Sequence, residues 1–264
     1  MSNIKATFDV LQKRGEKAFI PFLTLGYPDM KTCMDLILEL EKRGADIIEL
    51  GIPFSDPLAD GPVIQNASYE ALRGGVTLKK AIKFVSKLRE KTSIPLIFMG
   101  YYNPVFKFGQ ERFVQQAKDA GVDGLILADL PPEEGEDIRQ MAKEKDLALI
   151  FLLTPVSSEA RIKLISSISE GFIYCVSYTG ITGGGEEKQT MLTSLLHKIK
   201  SCSKTPVVIG FGISSPSQAK KASRLADGVI VGSAIIRKIM ENKGKDDMVN
   251  KVGDFALSLC QAVK

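Results

Sequence analysis

The most informative segment of the chain reads Asp46-Ile-Ile-Glu-Leu-Gly-Ile-Pro-Phe-Ser-Asp-Pro-Leu-Ala-Asp-Gly-Pro62, an apolar strand followed by a proline-rich loop. In the strand, Glu49 shares a face with Ile47 and Gly51, because successive side chains of a strand point to opposite faces. A carboxylate buried there costs free energy unless it is paired or used in chemistry. Asp60 lies at the far end of the loop, and the prolines stiffen the loop so that Asp60 can return over the strand end. Two carboxylates near one pocket predict acid–base chemistry.

Each of the two acids also has a purely structural explanation. Glu49 could be one half of a buried ion pair. Asp60 could cap the helix that is predicted to open at Pro62, since Asp is a favoured N-cap residue and Pro a favoured first helical residue. The fold that the rest of the chain predicts helps to choose between these structural explanations and catalytic roles.

Apolar segments alternate with amphipathic segments along the chain. Near-continuous runs of Val, Ile, Leu and Phe are typical of parallel strands that are covered on both faces. The predicted strands are Ala18–Leu25, Asp46–Gly51, Pro95–Tyr101, Asp123–Ala128, Leu147–Leu153, Phe172–Ser177, Pro206–Phe211 and Gly228–Gly232. The predicted helices are Ile4–Arg14, Met30–Arg43, Leu78–Lys91, Gln110–Ala120, Pro132–Lys145, Ser158–Ser169, Met191–Ser203, Pro216–Arg224, Ala234–Asn242 and Asp247–Val263.

This alternation predicts an α/β fold, a (β/α)8 TIM barrel with an extra N-terminal helix and a short extra helix after strand 8. A doubly wound open sheet is the alternative, and the even spacing of eight units and the lack of Gly-x-Gly-x-x-Gly after the first strand argue against it. Because no linker interrupts the pattern, we expect a single barrel domain over residues 1–264. Active sites of such barrels lie at the C-terminal ends of the strands, where Glu49 and Asp60 are placed, which favours catalytic roles for both.

Composition limits the classes of function. The chain is 44% hydrophobic and 25% charged, which is typical of a globular protein. Its net charge of +4 comes without a basic run interleaved with aromatic residues, which argues against a nucleic-acid partner. No apolar run reaches membrane-spanning length and Met1–Phe8 lacks a signal-peptide core, so we expect no membrane and a cytoplasmic location. Four cysteines without metal or redox spacing predict reduced thiols, and the single histidine, His197, argues against a catalytic metal.

Glycine-bearing turns follow strands six, seven and eight, at residues Thr179–Gly185, Gly210–Ser214 and Gly232–Ala234. Glycines let backbone N–H groups approach an anion, and a helix N-terminus adds a favourable dipole. A turn that needs positive φ could explain any one glycine. The three turns together favour a phosphate site, held by backbone N–H groups because the sequence offers no basic side chain for it.

The residue types at the strand ends also narrow the chemistry. No lysine lies at a strand end, which argues against a Schiff-base aldolase, and one histidine argues against a metal-dependent one. If a carbon–carbon bond is broken, the substrate must therefore carry its own electron sink, such as a protonatable ring. A paired-carboxylate glycosidase is the competing interpretation, and the phosphate site argues against it.

Over its whole length the chain resembles tryptophan synthase alpha subunits. The most specific match is Glu49-Leu-Gly-Ile-Pro-Phe-Ser-Asp-Pro-Leu-Ala-Asp-Gly-Pro62. Supporting matches are Pro21–Pro28, Tyr102–Pro104, Ala128–Pro131, Gly180–Gly183, Gly210–Ile213 and Gly232–Ser233. The resemblance implies a lyase of tryptophan biosynthesis that splits indole-3-glycerol phosphate into indole and glyceraldehyde 3-phosphate, with the indole ring as the electron sink and with no metal or cofactor.

The resemblance also implies roles for individual residues. Glu49 would protonate the indole ring carbon and take the proton of the side-chain hydroxyl, and Asp60 would hold and polarise the ring N–H. The implied indole pocket is walled by Phe22, Met99, Tyr101, Tyr174, Thr182, Phe211 and Ile230, and the implied phosphate ligands are Gly183, Gly212, Gly232 and Ser233. The chain departs from many family members at Tyr178, where they have arginine, and in the triple glycine 183–185, which fits a mobile lid.

A partner is implied as well. Family members work with a β subunit, a pyridoxal-phosphate enzyme that joins indole to serine, in an α-β-β-α heterotetramer. We expect the loop Pro53–Asp60 to have few neighbours of its own, and the expected interface comprises Pro53, Asp56, Pro57, Asn103, Phe106 and Pro131. The alternative function is a catalytically idle barrel that activates the β subunit allosterically, and the presence of both Glu49 and Asp60 favours the active lyase.

Overall fold

The strands form a parallel sheet that curls back on itself. The computed structural model describes residues 3–176, 186–210 and 212–264. In this part of the chain the strands are β1 (Ala18–Thr24), β2 (Ile48–Gly51), β3 (Leu96–Gly100), β4 (Gly124–Leu127), β5 (Ala148–Ile150), β6 (Leu152–Leu153), β7 (Ile173–Val176), β8 (Val207–Gly210) and β9 (Gly228–Val231). Their order is β5-β4-β3-β2-β1-β9-β8-β7-β6. Because Phe151 alone separates β5 from β6, the two ends of the sheet meet and the barrel closes there.

Helices cover the outside of this barrel. Those of the described residues are α1 (Asn3–Arg14), α2 (Met30–Lys42), α3 (Pro62–Arg73), α4 (Leu78–Leu88), α5 (Tyr102–Phe108), α6 (Gln110–Asp119), α7 (Glu136–Glu144), α8 (Glu159–Ile168), α9 (Glu186–Cys202), α10 (Pro216–Ser223), α11 (Ser233–Asn242) and α12 (Met248–Val263). The predicted barrel is confirmed, with α1 as the extra N-terminal helix and α11 as the extra helix after the last strand. The doubly wound alternative is wrong, because β1 lies in the middle of a sheet whose ends join.

Side-chain caps account for four of the helix starts in the described residues. The side chains of Asp29, Thr77, Ser158 and Ser215 each accept a hydrogen bond from a backbone N–H in the first turn of α2, α4, α8 and α10. Such caps satisfy N–H groups that have no partner within the helix. No helix in the described ranges has the length and apolar character needed to cross a membrane.

Several elements differ from the sequence-based predictions, among them α9, which begins at Glu186 and not at Met191. The helix α5 was not predicted, and its first N–H, on Tyr102, donates to Asp129 Oδ1 at 2.7 Å, a contact from the next barrel unit. The predicted strand Leu147–Leu153 is interrupted at Phe151. The helix predicted to begin at Pro132 begins only at Glu136, because backbone turns bonded to Pro131 and Pro132 come first.

The register of the sheet sets the position of the predicted acid. Phe22 on β1 lies beside Glu49 on β2, and Glu49 lies beside Ile97 on β3. All seven residues of β1 and all four of β2 are buried. Glu49 therefore sits inside the barrel, two residues before β2 ends, on the side where the βα loops begin.

Candidate active site

A cavity of about 240 Å³ lies at the C-terminal ends of the strands. It brings together nine residues that the sequence predicted, from six strands or the segments after them: Phe22, Glu49, Asp60, Met99, Tyr174, Gly212, Ile230, Gly232 and Ser233. Sequence reasoning missed its remaining lining residues, Gly61, Pro62, Val63, Ile64, Ile213 and Arg237. A wider groove of about 1130 Å³ at the opposite end of the barrel carries five lysines and five acids; residues at that end of such barrels serve stability.

Glu49 is a buried carboxyl group without a hydrogen-bond partner. It is 0% exposed, and neither of its carboxyl oxygens is hydrogen-bonded to any residue that the structure describes. Burial is the main cause, and the nearby charge of Asp60 the second, of a rise in the pKa of Glu49 to about 8. Within the described residues no cation pairs with Glu49, so the buried ion pair that could have explained it structurally is not found there.

Asp60 reaches the same cavity from the loop after β2. Its Oδ2 accepts a hydrogen bond from the Tyr101 hydroxyl at 3.1 Å. Burial raises the pKa of Asp60 to about 6, against the lowering effect of that hydrogen bond. The N-cap of α3 is Gly61, which makes no side-chain cap hydrogen bond. The capping role that could have explained Asp60 is therefore wrong.

The two carboxyl groups differ in their charge near neutral pH. With a pKa of about 8, Glu49 is mostly protonated at pH 7, whereas Asp60, with a pKa of about 6, is mostly ionised. When two carboxyl groups have different surroundings, their pKa values differ, and an enzyme can use one as an acid and the other as an anion. Glu49 can donate a proton to a substrate, and Asp60 can accept a hydrogen bond from one.

Two glycines make room for the aromatic walls of the cavity. A Cβ atom on Gly51 would lie 2.4 Å from Cζ of Phe22, and one on Gly210 would lie 2.3 Å from Cε2 of Tyr174. Contacts this short do not occur in folded proteins, so any larger residue would displace the ring. The positions of Phe22 and Tyr174 thus depend on glycines at the ends of β2 and β8.

The part of the cavity formed by Gly212, Gly232 and Ser233 is suited to an anion. Gly212 has φ of +74°, which L side chains rarely adopt, and Gly232 is the N-cap of α11 without a side-chain cap hydrogen bond. The first N–H groups of a helix have no partner within the helix, and Gly232 and Ser233, at the start of α11, line the cavity. The prediction that no basic side chain serves this end is wrong, because Arg237 also lines the cavity. Helical periodicity could have shown this, since Arg237 lies four residues after Ser233.

Some predicted residues lie elsewhere. Tyr101 is buried behind Asp60 and lines a small neighbouring cavity with Ile52 and Gly100, so it does not form the wall of the main cavity. The remaining predicted residues lie outside the described residues: Thr182, Gly183 and Phe211, together with Tyr178 and glycines 183–185.

The predicted partner surface is only partly exposed. Asp56 and Asn103 are exposed, Phe106 is 62% exposed, and Pro57 and Pro131 are half-buried. Pro53, which the sequence placed in the interface, is buried. Leu58, at 93% exposure, is the most exposed large apolar residue of this face and was not singled out.

The loop also has more neighbours than its sequence predicts. The Leu58 N–H donates to Asp56 O at 2.9 Å, and the Asp60 N–H donates to Pro57 O at 3.0 Å. The Gln65 side-chain amide donates to Asp60 O at 2.9 Å. The expectation of a loop with few neighbours is therefore wrong for its second half, which internal turns and the start of α3 hold in place.

Together the fold and the cavity define a class of protein. It is a (β/α)8-barrel enzyme that places two carboxyl groups of different pKa in one cavity with glycine turns and a helix N-terminus. Such a site acts on a small substrate that carries an anionic group at one end.

Comparisons with known proteins specify the family within this class. The sequence model of the family described as "Tryptophan synthase alpha chain" matches residues 8–264. The tryptophan synthase alpha chain of Geotalea uraniireducens is 50% identical over 264 residues, covering 100% of this chain and 98% of that protein. That of Caldanaerobacter subterraneus is 47% identical over 259 residues, covering 98% of each. The crystal structure of tryptophan synthase subunit alpha from Legionella pneumophila superimposes with a TM-score of 0.91 at 36% identity, covering 100% of this chain and 98% of that one. The chain belongs to the tryptophan synthase alpha chain family.

Proposed function

We propose that the chain is a carbon–carbon lyase that cleaves indole-3-glycerol phosphate to indole and glyceraldehyde 3-phosphate, in the last stage of L-tryptophan biosynthesis. The observation that carries the proposal is the buried, unpartnered carboxyl of Glu49, with a pKa of about 8, in the same cavity as Asp60 and the start of α11. Family membership identifies the substrate. The cavity provides a proton donor in Glu49, an anion in Asp60 and a phosphate site at the start of α11.

The proposed mechanism uses the two carboxyl groups in turn. Protonated Glu49 gives its proton to the indole ring carbon that bears the side chain, and the resulting positive charge on the ring nitrogen is stabilised by ionised Asp60 through the ring N–H. Glu49, now a carboxylate, takes the proton of the side-chain hydroxyl as the carbon–carbon bond breaks. The bonding electrons return to the ring, the hydroxyl carbon becomes an aldehyde, and Glu49 regains the proton it began with.

The rest of the cavity orients the substrate in this proposal. Phe22 and Tyr174 line the cavity together with the acids and provide apolar surface for the indole ring, with Met99 and Ile230. The backbone at Gly212, Gly232 and Ser233 binds the phosphate, and Arg237, which also lines the cavity, adds positive charge. Thr182, Gly183 and Phe211 keep the roles that the resemblance implies. No cofactor takes part on this chain.

The decisive experiment is the release of indole from indole-3-glycerol phosphate by the purified chain. We expect indole and glyceraldehyde 3-phosphate in equal amounts, with no added metal or cofactor and at a higher rate when a family β subunit is present. If the chain releases no indole with or without the β subunit, while binding that subunit, the chain is the catalytically idle activator and the proposal is wrong.

A charge placed at the start of α11 tests the phosphate site. Gly232 has φ of −110°, and a Cβ atom there would lie 3.4 Å from the Phe22 side chain, so alanine fits with little adjustment. Gly232→Asp should raise KM and weaken binding of glycerol 3-phosphate at least tenfold, because a carboxylate would stand where the anion binds. Gly232→Ala is the matched control and should stay within a few-fold of the parent. Equal affinities for glycerol 3-phosphate in both variants and the parent, measured by calorimetry, would place the anion elsewhere.

The proposal includes a β subunit, with pyridoxal phosphate bound on that partner and an α-β-β-α assembly. The surface suited to it lies around the cavity, where Leu58 and Phe106 expose apolar side chains beside Asp56 and Asn103. Pro57 and Pro131 are half-buried and belong to this surface, whereas Pro53 is buried and is not available to a partner. A cytoplasmic location is also part of the proposal, and it fits the four free cysteine thiols, because disulfides are rare there.

The partner surface can be tested at Asp56. Its carboxylate accepts a hydrogen bond from the adjacent Ser55 hydroxyl and is otherwise directed to solvent in the described structure. Asp56→Ala should weaken activation by the β subunit several-fold and spare the basal rate of indole release. Binding of β should also tighten when a substrate analogue is present, since linkage makes the two effects on binding reciprocal. Equal activation of Asp56→Ala and the parent would remove Asp56 from the interface.

A further inference from the structure

Tyr101 joins the Asp60 loop to the barrel through three contacts. Its hydroxyl accepts a hydrogen bond from the Ala59 N–H at 2.9 Å and donates one to Asp60 Oδ2 at 3.1 Å. Its ring packs against Phe54, with 5.2 Å between the ring centroids. Because Tyr101 directly follows β3, these contacts tie both ends of the segment 54–60 to a barrel strand.

The direction of the hydrogen bonds follows from the donors available. A backbone N–H can only donate, so the Ala59 bond uses an acceptor position of the tyrosine oxygen. The single hydroxyl proton is then committed to Asp60 Oδ2. The other carboxyl oxygen, Oδ1, makes no hydrogen bond within the described residues. Because Asp60 lines the cavity, this second oxygen is available to a ligand there.

We propose that Tyr101 is a positioning residue that fixes the Asp60 carboxylate through Oδ2 and leaves Oδ1 for the N–H of a substrate ring. The inference rests on the proposed function for the identity of that ring. It replaces the expectation that Tyr101 forms part of the indole wall, because its side chain lies behind Asp60 and outside the lining of the main cavity.

The electrostatic consequence can be stated with its sign. Burial raises the pKa of Asp60, and the Tyr101 hydrogen bond lowers it. The titratable groups that face this pair are Glu49 from β2, Tyr174 from β7 and Asp129 from the segment after β4. Removing the hydroxyl leaves burial unopposed, so the pKa of Asp60 rises above about 6. Asp60 acts as an anion, so activity falls when Asp60 becomes protonated. In the variant without the hydroxyl, this fall should begin at a higher pH than in the parent.

The test compares Tyr101→Phe with Tyr102→Phe, which removes a hydroxyl from the neighbouring tyrosine. Tyr101→Phe should lower kcat roughly tenfold or more, the effect of losing a hydrogen bond to a charged group. Its KM should stay within a few-fold, and the acid limb of its pH–rate profile should move to higher pH. Hydrogen exchange should be faster at the Ala59 amide in the chain without substrate. Tyr102→Phe should match the parent in all four measurements.

Two results would overturn the inference. A raised KM with unchanged kcat and an unchanged acid limb would show that Tyr101 is a wall of the ring pocket. Unchanged exchange of the Ala59 amide and an unchanged pKa of Asp60 in carbon-13 NMR titrations would show that the hydroxyl neither holds the loop nor tunes the acid. The exchange rate of the Ala59 amide and the NMR titration of Asp60 do not depend on turnover. They therefore decide the role of Tyr101 even if the parent releases no indole and the proposed function fails.

Discussion

Replacing Glu49 by glutamine should lower kcat for indole release by roughly 10²–10⁴-fold, the usual cost of losing a general acid–base group. Glutamine keeps the shape of the side chain but cannot exchange a proton with the ring carbon or the hydroxyl. The variant should still fold, because an uncharged amide replaces a carboxyl that burial already disfavours in its ionised form.

Phosphate binding separates this effect from damage to the site. Gly232 and Ser233 follow β9 and open α11, whereas Glu49 lies on β2, so glycerol 3-phosphate should bind Glu49→Gln with parental affinity in calorimetry. Glu49→Asp serves as a second comparison, because it retains a titratable carboxyl one methylene further from the substrate and should keep more activity than glutamine. If Glu49→Gln turns over within a few-fold of the parent, Glu49 is structural and the proposed mechanism is wrong.

Asp60→Asn should be impaired on the order of 10²-fold in kcat, comparable to the loss of one group that stabilises transition-state charge. The amide can still accept a hydrogen bond from a ring N–H but does not supply the negative charge that stabilises the protonated ring. The helix α3 should be unaffected, because its N-cap is Gly61.

Asp56→Asn is the matched control for this variant. It makes the same chemical change four residues earlier in the same loop, on an exposed side chain, and should leave the basal rate of the isolated chain unchanged. Parental activity of Asp60→Asn would mean that the ring N–H needs no anion. Equal losses in both variants would point to a general disturbance of the loop.

The parts of the site that could be predicted from sequence follow short-range patterns. Strand periodicity placed Glu49 inside a strand. In (β/α)8 barrels the C-terminal ends of all strands lie at one face, which placed the end of this strand and the glycine turns together. The alternation of apolar and amphipathic segments gave the barrel itself, because every unit repeats the same local pattern. These inferences needed no contact between distant residues.

The parts that could not be predicted depend on long-range contacts. Tyr101 contacts Ala59 and Asp60 more than forty residues earlier in the chain, and no local pattern encodes that pairing. The first N–H of α5 donates a hydrogen bond to Asp129, which lies after the next strand. Residue 51 must be glycine because the Phe22 ring, from the neighbouring strand, occupies the space of a Cβ atom. Arg237 is different, since helical spacing from Ser233 could have revealed it.

The protonation state of Glu49 is the most direct test of the account, since only a protonated group can protonate the indole ring. It can be measured by infrared difference titration, in which the spectrum of Glu49→Gln is subtracted from that of the parent at each pH. We expect a protonated carboxyl at pH 6 that ionises as the pH rises through about 8, because burial and the charge of Asp60 both raise its pKa. A carboxyl that titrates near its ordinary pKa of about 4.3 would be ionised at neutral pH and would contradict the proposed role of Glu49.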